Sequence, residues 1–339
     1  MADLGCGVGI LGLLCLDAGA DHCYAIERGP IIAKAKEAFW RSGLKDRVTF
    51  LQTSVKEAKL DRRVDVVICD HVGNFGIDYG LIELLQTARH LHLKTGGRIL
   101  PQRLDLEVAP VFTTRLSYRI DEWKASHVPN ALHFMADQAL GEKYSVYFSA
   151  DDIIGPASAL ATIELTEDQP DAYQWTAVLK IERSGQINGL GAWFRCMLAE
   201  DIWMTNSPLA DQPIKRKQVY VPIRPIDVEA GDTLKVTVLA RPQDGIYSWD
   251  IETTSGNQQS YNVMPPILAS SENLQASLPG FVPKLNSHGQ RQLAILALCD
   301  GRQSVEEICA TLLKSHPKLF ADEADIRTEL LSVLQRNVG

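Results

Sequence analysis

Three glycines at alternate positions, preceded by an aspartate, lie at the start of this 339-residue chain. In the run Asp3–Gly12 (DLGCGVGILG), the end of a predicted strand leads into the glycines and then into an apolar helix. Glycine permits positive φ and has no Cβ, so the backbone can lie directly against a ligand, and the helix start offers it free N–H groups. The carboxylate of Asp3 can meet the cationic end of such a ligand. Glu27 ends the next predicted strand, where a carboxylate can accept hydrogen bonds from both hydroxyls of a ribose.

The spacing of these residues separates three interpretations of the loop. A tight turn without a ligand needs only the glycines, and a dinucleotide site has the GxGxxG spacing that suits a pyrophosphate. The order DxGxGxG, strand, Glu resembles instead the signature of S-adenosylmethionine (SAM) methyltransferases, so we expect SAM as the cofactor. The residues expected to contact it are Asp3, Gly5, Cys6, Gly7, Gly9, Ile10, Leu11, Glu27, Arg28, Ser54, Val55 and Asp70.

Residues 1–101 must position these side chains, and short apolar strands alternate there with helical patterns. The run Val64–Cys69 (VDVVIC) is typical of a strand that is buried on both faces. This β-α-β-α order implies parallel strands with helical crossovers, which predicts an α/β, Rossmann-like core. The other expected strands are His22–Ile26, Val48–Leu51 and Arg98–Leu100, and the expected helices are Ile10–Ala18, Pro30–Ser42 and Tyr79–His92.

The pattern then changes to short alternating strands separated by Gly, Pro and Asp turns. Residues 102–253 are therefore expected to form an antiparallel β domain, which a helical insert interrupts at about 120–141. Residues 254–284 are rich in Ser, Asn, Gln and Pro and are predicted to be a linker.

Motifs in both regions resemble those of protein arginine methyltransferases, and they occur in the same order. Asp65–Gly80 (DVVICDHVGNFGIDYG) is similar to the family's segment with an active-site pair of glutamates, and Leu93–Pro101 (LKTGGRILP) to its exit from the catalytic domain. The resemblance implies a class I SAM-dependent methyltransferase core, a β-barrel substrate domain and a dimerisation arm in the insert, and hence a homodimer. The other matching segments are Asp3–Gly12, Gly19–Glu27, Asn188–Phe194, Trp203–Pro208, Lys217–Val221 and Val228–Asp232.

The catalytic positions depart from the family's pattern. The two family glutamates, which hold the guanidinium of the substrate, fall at Asp70 and Tyr79. Asp78 lies beside the second position, so Asp70 and Asp78 are predicted to clamp the acceptor nitrogen, with His71 as a candidate general base. Each has a simpler interpretation: Asp70 can cap a turn, Asp78 can be a helix N-cap, and His71 can be a loop residue without a role.

Two further positions differ from the family. Its barrel histidine falls within residues 214–216 (IKR), and its adenine-contacting glutamate falls at Lys56. The acceptor can therefore be an atom other than an arginine nitrogen.

Residues 285–339 are helical in pattern and have a different resemblance. Ser304 and Glu307 are spaced as a capping box, and the run Ile295–Ile308 (ILALCDGRQSVEEI) is similar to PqqD-like domains. That resemblance implies a small winged-helix fold that binds the leader segment of a ribosomally made precursor peptide. The alternative is a generic helical domain that packs on the barrel. Clustered acidic residues disfavour DNA binding here.

Composition sets limits on the function. Charged residues make up 22% of the chain and the net charge is -8, which argues weakly against nucleic acid as the main partner. The seven cysteines include no CxxC pair and no zinc-ligand spacing, so we expect reduced thiols, no metal and a cytoplasmic location. No apolar run approaches the roughly 20 residues of a membrane span.

These features predict a methyltransferase that acts on a nitrogen of a peptide or protein. Two alternatives remain: methylation of a small molecule or of a non-arginine nitrogen or oxygen, and a non-catalytic SAM-binding scaffold. Only Met1 and Ala2 precede Asp3, and the family resemblance implies helices before this loop that close over SAM. We therefore predict a truncated core without its first strand, and weak or no activity for residues 1–339 alone.

Overall fold

A computed structural model describes residues 1–140, 142–263, 280 and 282–337. The chain divides into two compact units, Met1–Pro266 and Ile267–Gly339. The first unit contains the predicted α/β core and β domain, and the second contains the predicted C-terminal helices.

Residues 1–100 form a five-stranded parallel sheet with helices between its strands. Its strands are β1 (Ala2–Leu4), β2 (Cys23–Ile26), β3 (Val48–Leu51), β4 (Val64–Cys69) and β5 (Leu93–Leu100), and its helices are α1 (Ile10–Asp17), α2 (Ile32–Arg41) and α3 (Leu81–Leu91). The strand order is β3-β2-β1-β4-β5. The order of the strands reverses beside β1: β2 and β3 lie on one side of it, and β4 and β5 lie on the other. In parallel sheets of this kind, ligands bind at the carboxyl ends of the strands near that point.

The prediction that the first strand is missing is wrong. Ala2–Leu4 pairs with β2 on one side and with β4 on the other. Its three residues are at most 1% exposed, because the central position of the sheet gives even a short strand two hydrogen-bonded neighbours. The last strand is also longer than predicted: β5 begins at Leu93, since Gly96 takes a positive φ at an irregularity in the ladder instead of ending it.

The strands described between residues 101 and 263 belong to two antiparallel sheets. They are β6 (Arg103–Val111), β7 (Tyr144–Val146), β8 (Ser158–Glu164), β9 (Tyr173–Lys180), β10 (Gly185–Ala199), β11 (Ile202–Thr205), β12 (Gln218–Val228), β13 (Thr233–Arg241), β14 (Ile246–Thr253) and β15 (Gln258–Val263). One sheet has the order β7-β12-β10-β6-β8, with β11 on β10, and the other has the order β15-β14-β13-β9. Val67, Leu85, Leu106 and Trp249 belong to one continuous apolar core, so the parallel sheet and the β domain pack together.

A helical segment interrupts the β domain, and we call it the arm (residues 114–139). It contains α4 (Thr114–Asp121) and α5 (Met135–Ala139) with single 3₁₀ turns between them, so it begins about six residues before the predicted insert. Ile120, Ala136 and Ala139 form its own small core.

The predicted linker contains a strand. β15 pairs along its length with β14 and adds an edge to the second antiparallel sheet. Its sequence, QQSYNV, is mostly polar because an edge strand has one side open to water, and the composition therefore predicted a linker. Residues 264–279 of the predicted linker lie outside the described residues.

The second unit contains three helices among residues 282–337: α6 (Ser287–Leu296), α7 (Val305–Ser315) and α8 (Glu323–Asn337). The predicted capping box is present, since Glu307 N–H donates to Ser304 Oγ and Ser304 N–H donates to Glu307 Oε2. Ile295, Leu312 and Leu330 belong to the core of this unit. No strand occurs among residues 282–337, so the wing of the predicted winged helix is not present in that range.

Candidate active site

A pocket of about 320 Å³ lies at the carboxyl ends of the parallel strands. The loops after β1, β2, β3 and β4 form one side, and the start of α3 forms the other. Ligand pockets in proteins commonly measure roughly 300 to 1,000 Å³, so its size suits a small ligand. Five of the residues expected to contact SAM line this pocket: Gly5, Glu27, Arg28, Ser54 and Val55.

Glu27 lies at the end of β2 with its carboxylate turned toward the glycine loop. Its Oε2 accepts a hydrogen bond from Gly7 N–H at 3.2 Å, and its Oε1 accepts one from Gly29 N–H at 2.6 Å. Each carboxylate oxygen has a further lone pair. Glu27 is thereby held at the pocket by two backbone groups and can still accept hydrogen bonds from a ligand.

The loop after β3 forms the neighbouring part of the wall. Ser54 caps the turn that follows it, since its Oγ accepts from Glu57 N–H at 3.2 Å. The buried carbonyl of Val55 accepts from His92 Nε2 at 2.8 Å, which ties the loop to the segment before β5. Lys56 lies on the pocket wall in the position of the family's glutamate.

Asp3 lies beneath the glycine loop and does not line the pocket. It is 1% exposed, and its Oδ2 accepts a hydrogen bond from Gly12 N–H at 3.0 Å, which ties β1 to α1. Burial raises the pKa of Asp3 to about 6, against the lowering effect of the Gly12 hydrogen bond, and the charges of Asp70 and Glu27 raise it further.

The remaining loop residues have supporting positions. Cys6 is buried, and burial raises the pKa of its thiol to about 12, so it packs as a neutral group. Gly7 and Gly9 have positive φ. Ile10 and Leu11 begin α1. None of these residues lines the pocket.

His71 follows β4 and its ring lies against the glycine loop. Gly5 has a φ of 67°, and a Cβ built on it would lie 2.2 Å from His71 Nε2. The imidazole therefore occupies the space that the missing side chain leaves. Within the described residues its ring makes no hydrogen bond, and it lines the same pocket as Glu27.

Asp70 points away from this pocket and pairs with the β domain. Arg216 Nη2 lies 3.4 Å from Asp70 Oδ1, and the Asp70 side chain is 61% exposed. Arg216 belongs to the 214–216 segment, where the related family has its histidine. The chain therefore pairs a guanidinium of its own with Asp70, the first of the two carboxylates predicted to clamp the acceptor.

Asp78 lies in the segment after β4, which we call the hairpin segment (residues 73–80), and its carboxylate already has partners there and in the β domain. Its Oδ2 accepts from Phe75 N–H at 2.8 Å. Its Oδ1 lies 2.7 Å from Lys143 Nζ and accepts from the Tyr247 hydroxyl at 3.3 Å. The expected clamp of Asp70 and Asp78 around one nitrogen does not form, because each carboxylate has its own basic partner and neither lines the pocket.

Tyr79 and Glu83 are two of the eight pocket residues that were not among the predicted site residues. Tyr79, at the position of the second family glutamate, has a φ of 65° and is 66% exposed on the pocket wall. Positive φ is uncommon for a residue with a bulky side chain. Glu83 lines the pocket from the first turn of α3. Tyr79 and Glu83 are four residues apart, a spacing that places two side chains on one face of a helix. The same spacing occurs on a solvent-exposed face, so it did not indicate a pocket.

Asn206 holds the hairpin segment to the β domain. It is fully buried, and its amide donates to the carbonyls of Asn74 and Lys217, each at 2.8 Å. Its Oδ1 accepts from Phe194 N–H at 2.9 Å. Asn206 thus connects the hairpin segment to the strand that follows Arg216. No local pattern in the sequence indicates a partner that lies 132 residues away.

The sequence of the chain is similar to those of protein arginine N-methyltransferases, although no family model matches it. It is 38% identical over 125 residues to the "Probable protein arginine N-methyltransferase 6" of Arabidopsis thaliana, which covers 37% of this chain and 29% of that protein. It is 23% identical over 252 residues to protein arginine N-methyltransferase 1 of Schizosaccharomyces pombe, which covers 72% of this chain and 73% of that protein. The chain thus spans less than a third of the first relative and about three quarters of the second.

Solved structures of protein arginine methyltransferases also have a fold similar to that of this chain. The Trypanosoma brucei PRMT1 enzyme–prozyme heterotetrameric complex with AdoHcy superposes with a TM-score of 0.69 at 17% identity, covering 77% of this chain and 88% of that one. Arabidopsis thaliana protein arginine methyltransferase 10 superposes with a TM-score of 0.66 at 20% identity, covering 77% and 87%. Over about three quarters of its length, the chain therefore has the fold of protein arginine methyltransferases, a Rossmann-like core followed by a β-barrel.

Proposed function

We propose that the chain is a SAM-dependent methyltransferase that transfers a methyl group to a nitrogen of a peptide or protein. The observation that carries this proposal is the single pocket wall on which Gly5, Glu27 and Val55 lie together with His71. Sequence similarity to protein arginine N-methyltransferases supports it. The fold shared with such enzymes supports it as well.

The residues of the pocket fit SAM at both of its ends. Gly5 has no Cβ and lets the ligand approach the backbone. Glu27 is held where it can accept the two ribose hydroxyls, and the apolar side chain of Val55 suits the edge of an adenine. The carboxylate of Glu27 adds a negative charge to the pocket wall, which suits a cationic ligand.

The side chains near the acceptor would have different roles. SAM supplies an electrophilic methyl group when it is bound. His71 would accept a proton from the acceptor, and Tyr79 would contact the acceptor across the pocket. Asp70, paired with Arg216 at the rim, would orient the incoming substrate. Asp78 would act as a positioning residue, because it holds the hairpin segment in place.

Transfer of a labelled methyl group is the direct test. The full chain is mixed with peptide extracts and labelled SAM. The chain is in excess over SAM, so that slow transfer is detected. The modified residue is then mapped by mass spectrometry. We expect label on a peptide nitrogen. Binding of SAM without transfer to any peptide or protein would reject the proposal.

We also propose that the chain forms a homodimer through the arm. Tyr118, Leu132 and Phe134 are exposed on the arm, and Ile10 and Leu14 are exposed on α1. Large apolar side chains that are exposed together often mark an interface. The Trypanosoma neighbour is itself a heterotetrameric complex, which is consistent with assembly in proteins of this fold.

For the second unit we propose a PqqD-like role, the binding of the leader segment of a precursor peptide. A groove of about 420 Å³, lined by Leu293, Ala297 and Leu319 among others, supports this role. Leu293→Asp in the full chain should abolish binding of a candidate leader peptide. Leu313→Asp, at an exposed position outside the groove, should not, and equal binding by both variants would contradict the role.

We also propose that the protein is cytoplasmic and does not act on nucleic acid. All seven cysteines are free thiols, which suits a reducing compartment. In the described part of the chain, no helix is long and apolar enough to cross a membrane. Fractionation of the native cell would test the location.

A non-catalytic partner role is the second candidate. The pairing of Asp70 with Arg216 and of Asp78 with Lys143 favours it, because both carboxylates are neutralised. The enzyme–prozyme complex among the structural neighbours is a precedent in that protein. Turnover by the chain alone would reject this candidate.

A further inference from the structure

We infer that the methyl acceptor is an uncharged side-chain group that must lose a proton, and not a guanidinium. This inference rests on the proposed methyltransferase function and specifies its substrate class. Three features of the acceptor end carry it: the carboxylates are already paired, the pocket wall presents a neutral residue where a carboxylate would be needed, and a free base lies beside the cofactor loop.

The first feature is the charge balance around the hairpin segment. A guanidinium is held best by two carboxylates that accept its parallel N–H groups. Asp78 is only 13% exposed and already has three partners, which are Lys143, Tyr247 and the Phe75 amide. Lys143 cannot easily leave, since its Nζ also lies 3.5 Å from the centre of the Tyr247 ring.

The other carboxylate has a guanidinium partner from the same chain. Arg216 is 27% exposed and lies 3.4 Å from Asp70. A substrate arginine would have to share Asp70 with this guanidinium, which repels it as a like charge. The two pairs, Asp70–Arg216 and Asp78–Lys143, therefore add no net negative charge to attract a cationic acceptor.

The second feature is Tyr79, which lines the pocket with a neutral phenol. A phenol can pack against a flat group and can donate or accept one hydrogen bond, but it cannot neutralise a cation. Glu83 is the remaining carboxylate on this side of the described pocket. It is exposed at the first turn of α3, where the helix dipole stabilises its charge, and a single carboxylate gives no second arm to a clamp.

The third feature is His71, which lines the same pocket and has no hydrogen-bond partner among the described residues. In the reaction, a lone pair of the acceptor atom forms a bond to the methyl carbon as the carbon–sulfur bond breaks, and the sulfur keeps that electron pair. The proton of the acceptor passes to the His71 ring. The methylated product is uncharged and His71 is left as an imidazolium, which solvent deprotonates. Imidazole and carboxamide side chains are nitrogen acceptors of this class, and a serine peptide serves as the oxygen control.

The test compares peptides of one backbone sequence whose central residue is Arg, Lys, His, Gln or Ser. The full chain is used with labelled SAM under single-turnover conditions. We expect label on an uncharged central residue and none on Arg or Lys. His71→Gln should slow the transfer by about 100-fold, because the side chain can no longer accept the proton of the acceptor.

A binding measurement gives a readout that does not need turnover. A fluorescent arginine peptide is titrated into the SAM-free chain, Arg216→Ala and Arg224→Ala. Arg224 is a matched control, because it forms an exposed pair with Asp137 away from the pocket. We expect the affinity to rise about two- to fivefold in Arg216→Ala only, because that change frees Asp70.

The outcomes separate the inference from the function on which it rests. Label on arginine, full activity of His71→Gln, or equal affinities in the two arginine variants would overturn the inference and leave a methyltransferase. Absence of SAM binding, or of label on every peptide and protein, would reject the proposed function as well.

Discussion

Gly5, Glu27 and Val55 lie on one wall of the pocket at the strand ends, whereas the carboxylates of Asp3 and Asp78 contact other partners. Gly5, Glu27 and Val55 follow strand ends in a parallel sheet, and strand ends meet at one edge, so their place on the wall follows from the order of elements. Asp3 satisfies the same motif, but its carboxylate turns to the Gly12 amide. Asp78 likewise turns to Lys143, a partner that no spacing rule indicates.

Asp3 should make the stability of the chain depend on pH. Its pKa is raised from 3.8 in the unfolded chain to about 6 in the folded one, so ionisation costs stability as pH rises from about 4 to about 6, by roughly 3 kcal/mol at 1.36 kcal/mol per pKa unit. Asp3→Asn keeps an oxygen for the Gly12 amide and removes this cost. The free energy of unfolding of the variant should therefore exceed that of the wild type increasingly above pH 4, measured by urea titration at several pH values. A difference that does not change with pH would contradict this account.

At the scale of elements, the hairpin segment is the part that least resembles its prediction. The sequence predicted that a helix begins at Tyr79, whereas α3 begins at Leu81 after a 3₁₀ turn. A Cβ on Gly73 would lie 2.2 Å from that of Asp78, so the segment folds tightly on itself. Its position depends on Asn206 and Lys143, which come from distant parts of the β domain, and local patterns carry no information on such contacts.

Asn206→Ala should destabilise this junction. The change leaves the Phe194 N–H and the carbonyls of Asn74 and Lys217 without their partner, which should cost roughly 2 to 4 kcal/mol in the free energy of unfolding. Asn262→Ala is the matched control, since Asn262 is exposed on the edge strand β15, and it should cost less than about 0.5 kcal/mol. Equal unfolding midpoints for both variants would show that Asn206 does not hold the segment.

At the scale of the whole molecule, the order of regions was predictable because the periodicity changes between them. The α/β pattern of residues 1–100 and the alternating pattern after it correspond to the parallel sheet and the antiparallel sheets. The boundaries were less accurate. A three-residue central strand and the polar edge strand β15 carry little hydrophobic signal, and only their neighbours in the sheets define them.

The proposed homodimer depends on the exposed apolar side chains of the arm. Phe134 is 55% exposed on the arm, and Phe134→Glu should convert a homodimer into monomers, because a charge would be buried in an apolar contact. Leu239→Glu, at an exposed site on β13 that is 45% accessible, should leave the dimer intact. Sedimentation velocity distinguishes the species, and a wild-type chain that sediments as a monomer at every concentration would refute the dimer.

The central claim is that the pocket at the strand ends binds SAM through Glu27, and calorimetry of the full chain tests it most directly. SAM and its demethylated product should each bind the wild type with a stoichiometry of about one per chain. Glu27→Gln removes the charge that would accept the ribose hydroxyls and should weaken binding by about 10- to 100-fold, since hydrogen bonds to charged groups contribute roughly 1.5 to 3 kcal/mol. Glu37→Gln, at an exposed position on α2, should bind as the wild type does. Failure of the wild type to bind, or equal affinity in Glu27→Gln, would contradict the account.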